Sequence, residues 1–356
     1  METFFTKTQV DKFLEEAKKG DRESMVNVGF AYYIGTGVPK NIPMGLKWLR
    51  KAARLGHPEA MFLIGKAYAC GEGVQRDPRL AFRWYREGAE RGSSAAMHML
   101  GVAYRDGQDG LPIDPVASAK WFGKGAKAGF SFSMNEFGNA LAIGKGVDKD
   151  VIEALLWWRL AAKAGSPEAM YSIGLSYHYG EGVPKDLAKS VKWWLKAAKL
   201  SLPMAMYQLG EAYANGRGVR RDTGQAVSWY REAAERGVPE ALDSLRAPAL
   251  TQYIAKETKI WHRKAKKGDT KAQKNMAFVA LHGIACPPNP AEAVDWWFMA
   301  ATNGDAMAMT LLGKAYLDGL SGPKDITRGF EWLRKAAELE CPEAETILSD
   351  LNDSQA

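Results

Sequence analysis

The sequence predicts an all-α fold, a right-handed superhelical solenoid of about nine helix–turn–helix repeats, one truncated, with N- and C-terminal capping helices. Three observations carry this. A junction residue recurs at Gly20, Gly56, Gly92, Gly129, Gly165, Ser201, Gly237, Gly268, Gly304 and Glu340, in steps of 36 residues apart from one of 37 and one of 31. Self-similarity at that period marks stacked helical hairpins, none of which can bury its apolar face alone. The tryptophans keep the same register: Trp48, Trp84, Trp121, Trp157, Trp193, Trp229, Trp261, Trp296 and Trp332 share one position, and Trp158, Trp194 and Trp297 take the next. Finally, a glycine is kept inside the first helix of most repeats, at Gly29, Gly65, Gly101, Gly138, Gly174, Gly210 and Gly313. Mid-helix glycine costs roughly 0.5–1 kcal/mol relative to alanine, so its retention implies close contact with the paired helix.

Within a repeat each element has a physical reason. In Gly165–Ser201, Ser166-Pro167-Glu168 starts a helix with a capping hydroxyl, a proline at the first helical position and an acid that suits the dipole. His57-Pro58-Glu59 and Cys341-Pro342-Glu343 repeat this start without the ideal cap. Ala169, Met170, Ile173 and Tyr177 fall on one helical face. Gly180-Glu181-Gly182-Val183 makes the turn, Asp186 caps the second helix, and Lys196 places positive charge near its end. The aromatic register could serve as a strip for stacking bases or sugars. The alternative is that the rings fill gaps between hairpins, and a period set by the fold rather than by a ligand favours it.

Along the chain, residues 1–19 are expected to form an N-terminal capping helix, from about Thr8 to Lys19. Six repeats occupy 20–237, with a one-residue insertion around Gln108-Asp109-Gly110-Leu111 in the third and an irregular fourth that opens Phe130-Ser131-Phe132. Residues 238–268 form a truncated, degenerate repeat. It begins Val238-Pro239-Glu240 but runs into Arg246-Ala247-Pro248, where helix should stop or kink. A break in the array is expected there. Two repeats fill 269–340, and 341–356 hold a capping helix, Glu343–Leu351, and a frayed tail from Asp350.

Composition narrows the function classes. No apolar run approaches the 18 or so residues of a membrane helix. The N-terminus has no charged start, apolar run and cleavage site of a signal peptide. A cytoplasmic protein is expected, or a periplasmic or secreted one if a signal peptide has been removed. Cys70, Cys286 and Cys341 share no close spacing and the five histidines are scattered, so neither a disulfide framework nor a metal site is expected. No cofactor is expected. The net charge of +7 is concentrated: residues 256–274 alone carry +6. Lys259, Arg263, Lys264, Lys266, Lys267, Lys271 and Lys274 are thus a candidate patch for an anionic polymer or membrane surface, although a solvated helix face explains them more simply. No nucleic-acid module accompanies them. Catalysis is not expected: HExxH, GxSxG and paired CxxC are absent, the GxGV turns lack the phosphate-loop lysine, and Glu168 with His178 has no nucleophile beside it.

The sixth repeat, from Ala205 to Ala234, reads Leu209-Gly210, Tyr213, Gly216, Gly218-Val219, Asp222, Ala226, Trp229 and Ala233-Ala234. This pattern resembles the Sel-one-like repeat (SLR) family, relatives of the tetratricopeptide repeats, over about residues 20 to 340. The resemblance departs at the seventh repeat and in the cysteines, which cannot supply the disulfide some relatives carry in each repeat. It implies a non-catalytic scaffold or adaptor for protein complexes. Similar bacterial proteins include adaptors and immunity proteins that neutralise secreted toxins, so the expected partner is another protein, a toxin among the options, with the chain itself a monomer.

In such repeats first helices line the concave wall, and positions one turn either side of the mid-helix glycine point inward. By register the binding candidates are Phe30, Tyr33, Phe62, His98, Arg105, Tyr171, His178, Tyr179, Tyr207 and Glu211, with Lys66, Asn135, Asn139, Phe278, His282 and Lys314 at equivalent positions. The densest group is Tyr171, His178, Tyr179 and Tyr207, aromatic anchors for a partner unless they seal the seams between hairpins.

Overall fold

A computed structural model describes residues 5–107 and 112–353, with side chains through 351. The insertion expected at Gln108–Leu111 lies outside the described residues. The described residues contain 20 helices and no strand. They divide into two compact units, Met1–Leu202 and Pro203–Ala356.

The first unit holds α1 (Lys7–Lys18) and five hairpins: α2 (Arg22–Ile34) with α3 (Ile42–Arg54), α4 (Pro58–Cys70) with α5 (Pro78–Glu90), and α6 (Ser94–Asp106) with α7 (Pro115–Lys127). Then come α8 (Ser131–Ile143) with α9 (Val151–Lys163) and α10 (Pro167–Tyr179) with α11 (Leu187–Lys199). Helix α1 packs on α2. Ser24 Oγ donates to the Glu16 carboxylate at 2.8 Å, so the first hairpin's apolar edge is covered.

The second unit opens with the hairpin of α12 (Pro203–Asn215) and α13 (Thr223–Glu235). After it the chain makes a seven-residue helix, α14 (Pro239–Leu245), and an 18-residue one, α15 (Pro248–Ala265). Helix stops where Pro248 forbids αR backbone at Ala247, whose ψ is 139°. Two regular hairpins follow, α16 (Thr270–His282) with α17 (Pro290–Thr302) and α18 (Ala306–Asp318) with α19 (Ile326–Glu338), then α20 (Pro342–Asp353). Two expectations change here. The truncated hairpin lies inside the second unit, packed against α13 and α16, and the division falls earlier, after Leu202. The long α15 takes the place of the missing turn and second helix. The chain from Asp350 to Asp353 is helical rather than frayed, because α20 continues through it.

One set of local interactions builds every regular hairpin. Asn41, Asp77, Asp114, Asp150, Asp186, Asp222, Asn289 and Asp325 cap the second helices, each side chain accepting from the backbone N–H three residues on. Each cap residue's own N–H donates back to a first-helix carbonyl, as Asp186 does to Tyr177 at 2.8 Å and Asp222 to Tyr213 at 3.0 Å. The turn is thereby tied at both ends.

The mid-helix glycines explain the aromatic register. A Cβ at Gly65, Gly101, Gly138 or Gly210 would lie 2.5–2.7 Å from the ring of Tyr85, Phe122, Trp158 or Tyr230, and at Gly174 it would meet Trp194. Each ring sits in a notch that only glycine leaves open. Leu49 and Leu333 fill the same notch against Gly29 and Gly313. These residues, one position after the invariant tryptophan column, are the deep plugs: Trp194 and Tyr230 are both 1% exposed. The column itself lies higher. Trp48, Trp84, Trp121, Trp157, Trp193, Trp261 and Trp332 are half-buried against the core clusters, and lysine ammonium groups lie over Trp48, Trp121, Trp193 and Trp332 at 4.1–4.4 Å. Packing accounts for the register.

Two stability outcomes follow from the backbone. Alanine at Gly174 gains helix propensity but collides with Trp194, so Gly174→Ala should destabilise the chain by about 1–3 kcal/mol in urea denaturation; an unchanged or raised midpoint would dismiss the notch. At the junctions, Ser201 and Glu340 hold left-handed backbone, φ 63° and 56°, where most repeats have glycine. Glu340→Gly should therefore raise the unfolding free energy by about 1 kcal/mol, and a loss on calorimetry would show that the side chain matters more than the strain.

Candidate functional site

The candidate residues sit on first helices, whose starts are chained from repeat to repeat by polar side chains. His57 Nε2 lies 2.8 Å from the Glu23 carboxylate, Ser93 Oγ donates to Glu59 at 3.0 Å, and His98 Nδ1 lies 3.2 Å from Ser133 Oγ. These links span 34 or 35 residues, so they tie the first helices of the first four repeats to one another.

Among them the third and fourth repeats of the first unit carry the most elaborate group. His98 on α6 packs among Phe122, Phe130 and Phe132, with ring centroids 5.3–6.1 Å away. Phe132 itself is 59% exposed. The Arg105 guanidinium bridges Asp106 at 2.8 Å and Glu136 at 2.9 Å, which holds the Asp106 carboxyl below its usual range. Burial, helped by the Arg105 charge, pushes His98 down to about 4. The imidazole is neutral at physiological pH, an apolar ring edge rather than a charge.

On α10, Tyr171 and His178 are half-buried, and the His178 ring lies 5.4 Å from Trp194 and 4.8 Å from Tyr179. Tyr179 is 65% exposed. Phe30 and Phe62 are half-buried, Phe30 edge-on to Phe5 and Phe62 tilted on Tyr85. Tyr33 departs from expectation. It is buried in the first-repeat core, and its hydroxyl donates to Glu72 in the next turn. Gly45, across from it, lets the helices approach so closely that a Cβ there would come within 3.0 Å of the Tyr33 nitrogen. Tyr33 is a packing residue and leaves the candidate list.

Tyr207 and Glu211 belong to the second unit. Tyr207 stacks near Tyr230, and Glu211 accepts the Tyr230 hydroxyl while Asn215 donates to it at 3.2 Å. Glu211 is engaged in seating the notch residue. Phe278 also proves buried.

The basic window divides. Lys274 is paired with Asp305 at 2.7 Å, and Lys271 lies at a cavity mouth. Lys259, Arg263, Lys264, Lys266 and Lys267 are exposed on α15 and just beyond it. Sequence reasoning missed the residues that bridge the truncation. Arg231 on α13, 8% exposed, donates to Asn275 on α16, and its Nε lies 3.7 Å from Glu235. Arg236 approaches Glu343 at 3.8 Å. Burial raises the Glu235 carboxyl despite three neighbouring cations. The five-residue deletion marked the place, but a deletion does not say which side chains then meet.

Among the described residues no group of three His, Cys, Asp or Glu could hold a metal, and no helix is long and apolar enough to cross a membrane. The three cysteines are free, Cys341 buried and the others exposed.

Glycine-notched hairpins with side-chain caps and tethered first helices define a helical repeat protein. The Sel1 repeat model matches residues 22–57, 58–93, 94–130, 131–166, 167–202, 203–238, 270–305 and 306–341. The chain belongs to the Sel1 repeat family, whose members are typically protein-interaction scaffolds. Among solved structures it is similar to c5321, a protective antigen of uropathogenic Escherichia coli with an SLR fold. Identity is 27% over 96% of this chain and 74% of that one, at TM-score 0.62. A Sel1 repeat protein from Oxalobacter formigenes matches at 28% identity over 64% of this chain and 99% of that one, TM-score 0.56. The immunity protein Pa5087 of Pseudomonas aeruginosa matches at 18% identity over 61% of this chain and 82% of that one, and at TM-score 0.37 that likeness carries no functional argument. No curated protein matches the chain.

A pH outcome follows from His98. With an ordinary value of 6.5 and a folded value of about 4, the folded state lacks a proton that the unfolded chain takes up between those limits. Stability present above pH 6.5 is thus lost as pH falls towards 4. Thermal melts of wild type and His98→Gln should converge over that interval, and parallel pH profiles would place the histidine in solvent.

Proposed function

We propose that the chain is a non-enzymatic scaffold that grips a segment of a partner protein along its first-helix face, with the aromatic groups of α6 to α10 as anchors. The observation that carries the reading is Tyr179, a large amphipathic ring 65% exposed beside His178 and serving no core. Phe132 is a second such ring in the same unit. Rigid exposed aromatics contribute contact area at small entropic cost and dominate interface energetics. Family membership supports the same direction, since packing positions are shared by all repeats and the remaining positions are free to specify a partner. His98 and Arg105 flank the anchors with a neutral ring and a neutralised cation, which suits a partner segment of mixed apolar and polar character.

The test is affinity capture with the tagged chain, followed by titration of the retained protein. Tyr179→Ala with Phe132→Ala should weaken one stoichiometric partner by about 30-fold or more, as truncation of hot-spot residues does. Charge reversal at Lys264, Lys266 and Lys267 should leave it bound. Retention that survives the aromatic variant but is stripped by salt or by the charge reversal would reject this reading in favour of an anionic partner on α15.

A further inference from the structure

The truncated repeat leaves a cavity of about 260 Å³ in the second unit, enclosed by α13, α14, α15 and α16. Its walls combine two chemistries. Tyr253, Trp261 and Phe278 supply aromatic faces beside Ile254 and Val279. Arg231 and Lys271 supply positive charge against the single carboxylate of Glu257, and Gln225, Ser228 and Asn275 add neutral hydrogen-bonding groups. Arg231 is 8% exposed, and its Nε makes no hydrogen bond. Glu235, at 3.7 Å, stands beyond hydrogen-bond reach of that donor. That nitrogen has no accessible surface, so any contact Arg231 makes with an occupant of the cavity falls to its terminal nitrogens, one of which already donates to Asn275.

We propose that this cavity binds a small aromatic carboxylate, its ring between Tyr253, Trp261 and Phe278 and its acid group on Arg231 and Lys271. Size sets the class. An apolar cavity of roughly 150 Å³ holds benzene, and pockets for drug-sized ligands start at roughly 300 Å³. The space therefore suits one ring with a short acidic arm. Charge sets the head group: among the lining residues Arg231 and Lys271 stand against the carboxylate of Glu257, Arg231 is also faced by Glu235 at 3.7 Å from outside the lining, and the exposed Lys271 is therefore the cation an incoming anion would meet. The site is separate from the first-helix anchors of the other unit and does not depend on the scaffold reading.

Phenylacetate and its neutral isostere phenylacetamide are the probes, titrated into the full chain by calorimetry and followed by ligand-observed NMR. One phenylacetate per chain should bind with a sub-millimolar Kd, and the amide should bind about tenfold or more weaker, as expected for loss of a charge-assisted pair. Lys271→Gln, at an exposed position, should weaken the acid about tenfold with the melting temperature unchanged. Ser228→Leu should fill the space and abolish binding while the far-ultraviolet spectrum stays native. No saturable binding up to about 10 mM would show the cavity to be a hydrated void and overturn the proposal. Equal affinity for acid and amide, or unchanged binding by the Ser228→Leu protein, would overturn it as well.

Discussion

Seven of the eight regular hairpins close on one contact: a first-helix glycine against the large side chain directly across from it. Without a Cβ on one helix, the ring or leucine on the other enters a notch at near backbone distance. The contact fixes how closely and at what height the two helices meet, and the caps and turn then fall where they can bond. Asp186, for example, both caps α11 and donates back to the Tyr177 carbonyl. The plug is buried, so the neighbouring tryptophan column is left to cover the seam, half-exposed beneath lysines such as Lys196. A glycine that weakens its own helix is thus what lets the hairpin pack.

The seventh repeat shows what happens when that contact and the turn after it are both missing. Without the glycine and its turn, α14 ends after two turns and α15 runs on for 18 residues. The faces of α13 and α16 then meet through Arg231 and Asn275 rather than through a ring in a notch. Ionic groups enter the packing there, the buried Arg231 beside the half-buried Glu235 and, one repeat on, the half-buried Lys274 with Asp305. Arg231, whose Nε has no hydrogen-bond partner, is also a lining residue of the cavity. The irregular repeat is where the solenoid exchanges packing for chemistry.

Elsewhere the side chains proposed to bind a partner are found by subtraction. Positions needed for caps, notches and inter-repeat links are occupied, and what is left is a sparse set of side chains with no packing duty. His98 joins the two categories. It bonds Ser133 of the following repeat, yet with Phe132 it forms their most aromatic group. Its depressed basicity follows from that partial burial, so the group is apolar in effect although its residues are not all apolar.

The sequence by itself determined the repeat, the hairpin boundaries, the capping residues and the stop before Pro248, because these depend on backbone geometry and on neighbours within a few residues. It also determined that Gly174 and its equivalents face a close neighbour, since nothing else offsets the cost of mid-helix glycine. It did not separate Tyr33 from Tyr179. Both are tyrosines near the end of a first helix, but Gly45 lets the core take one, and the other projects into solvent. Nor did it show that Lys274 is spent on Asp305 while Lys271 opens onto a cavity. Those outcomes rest on contacts between different helices, Tyr33 with Gly45 and Lys274 with Asp305, where exposure is decided by what packs opposite, and only the tertiary structure decides that.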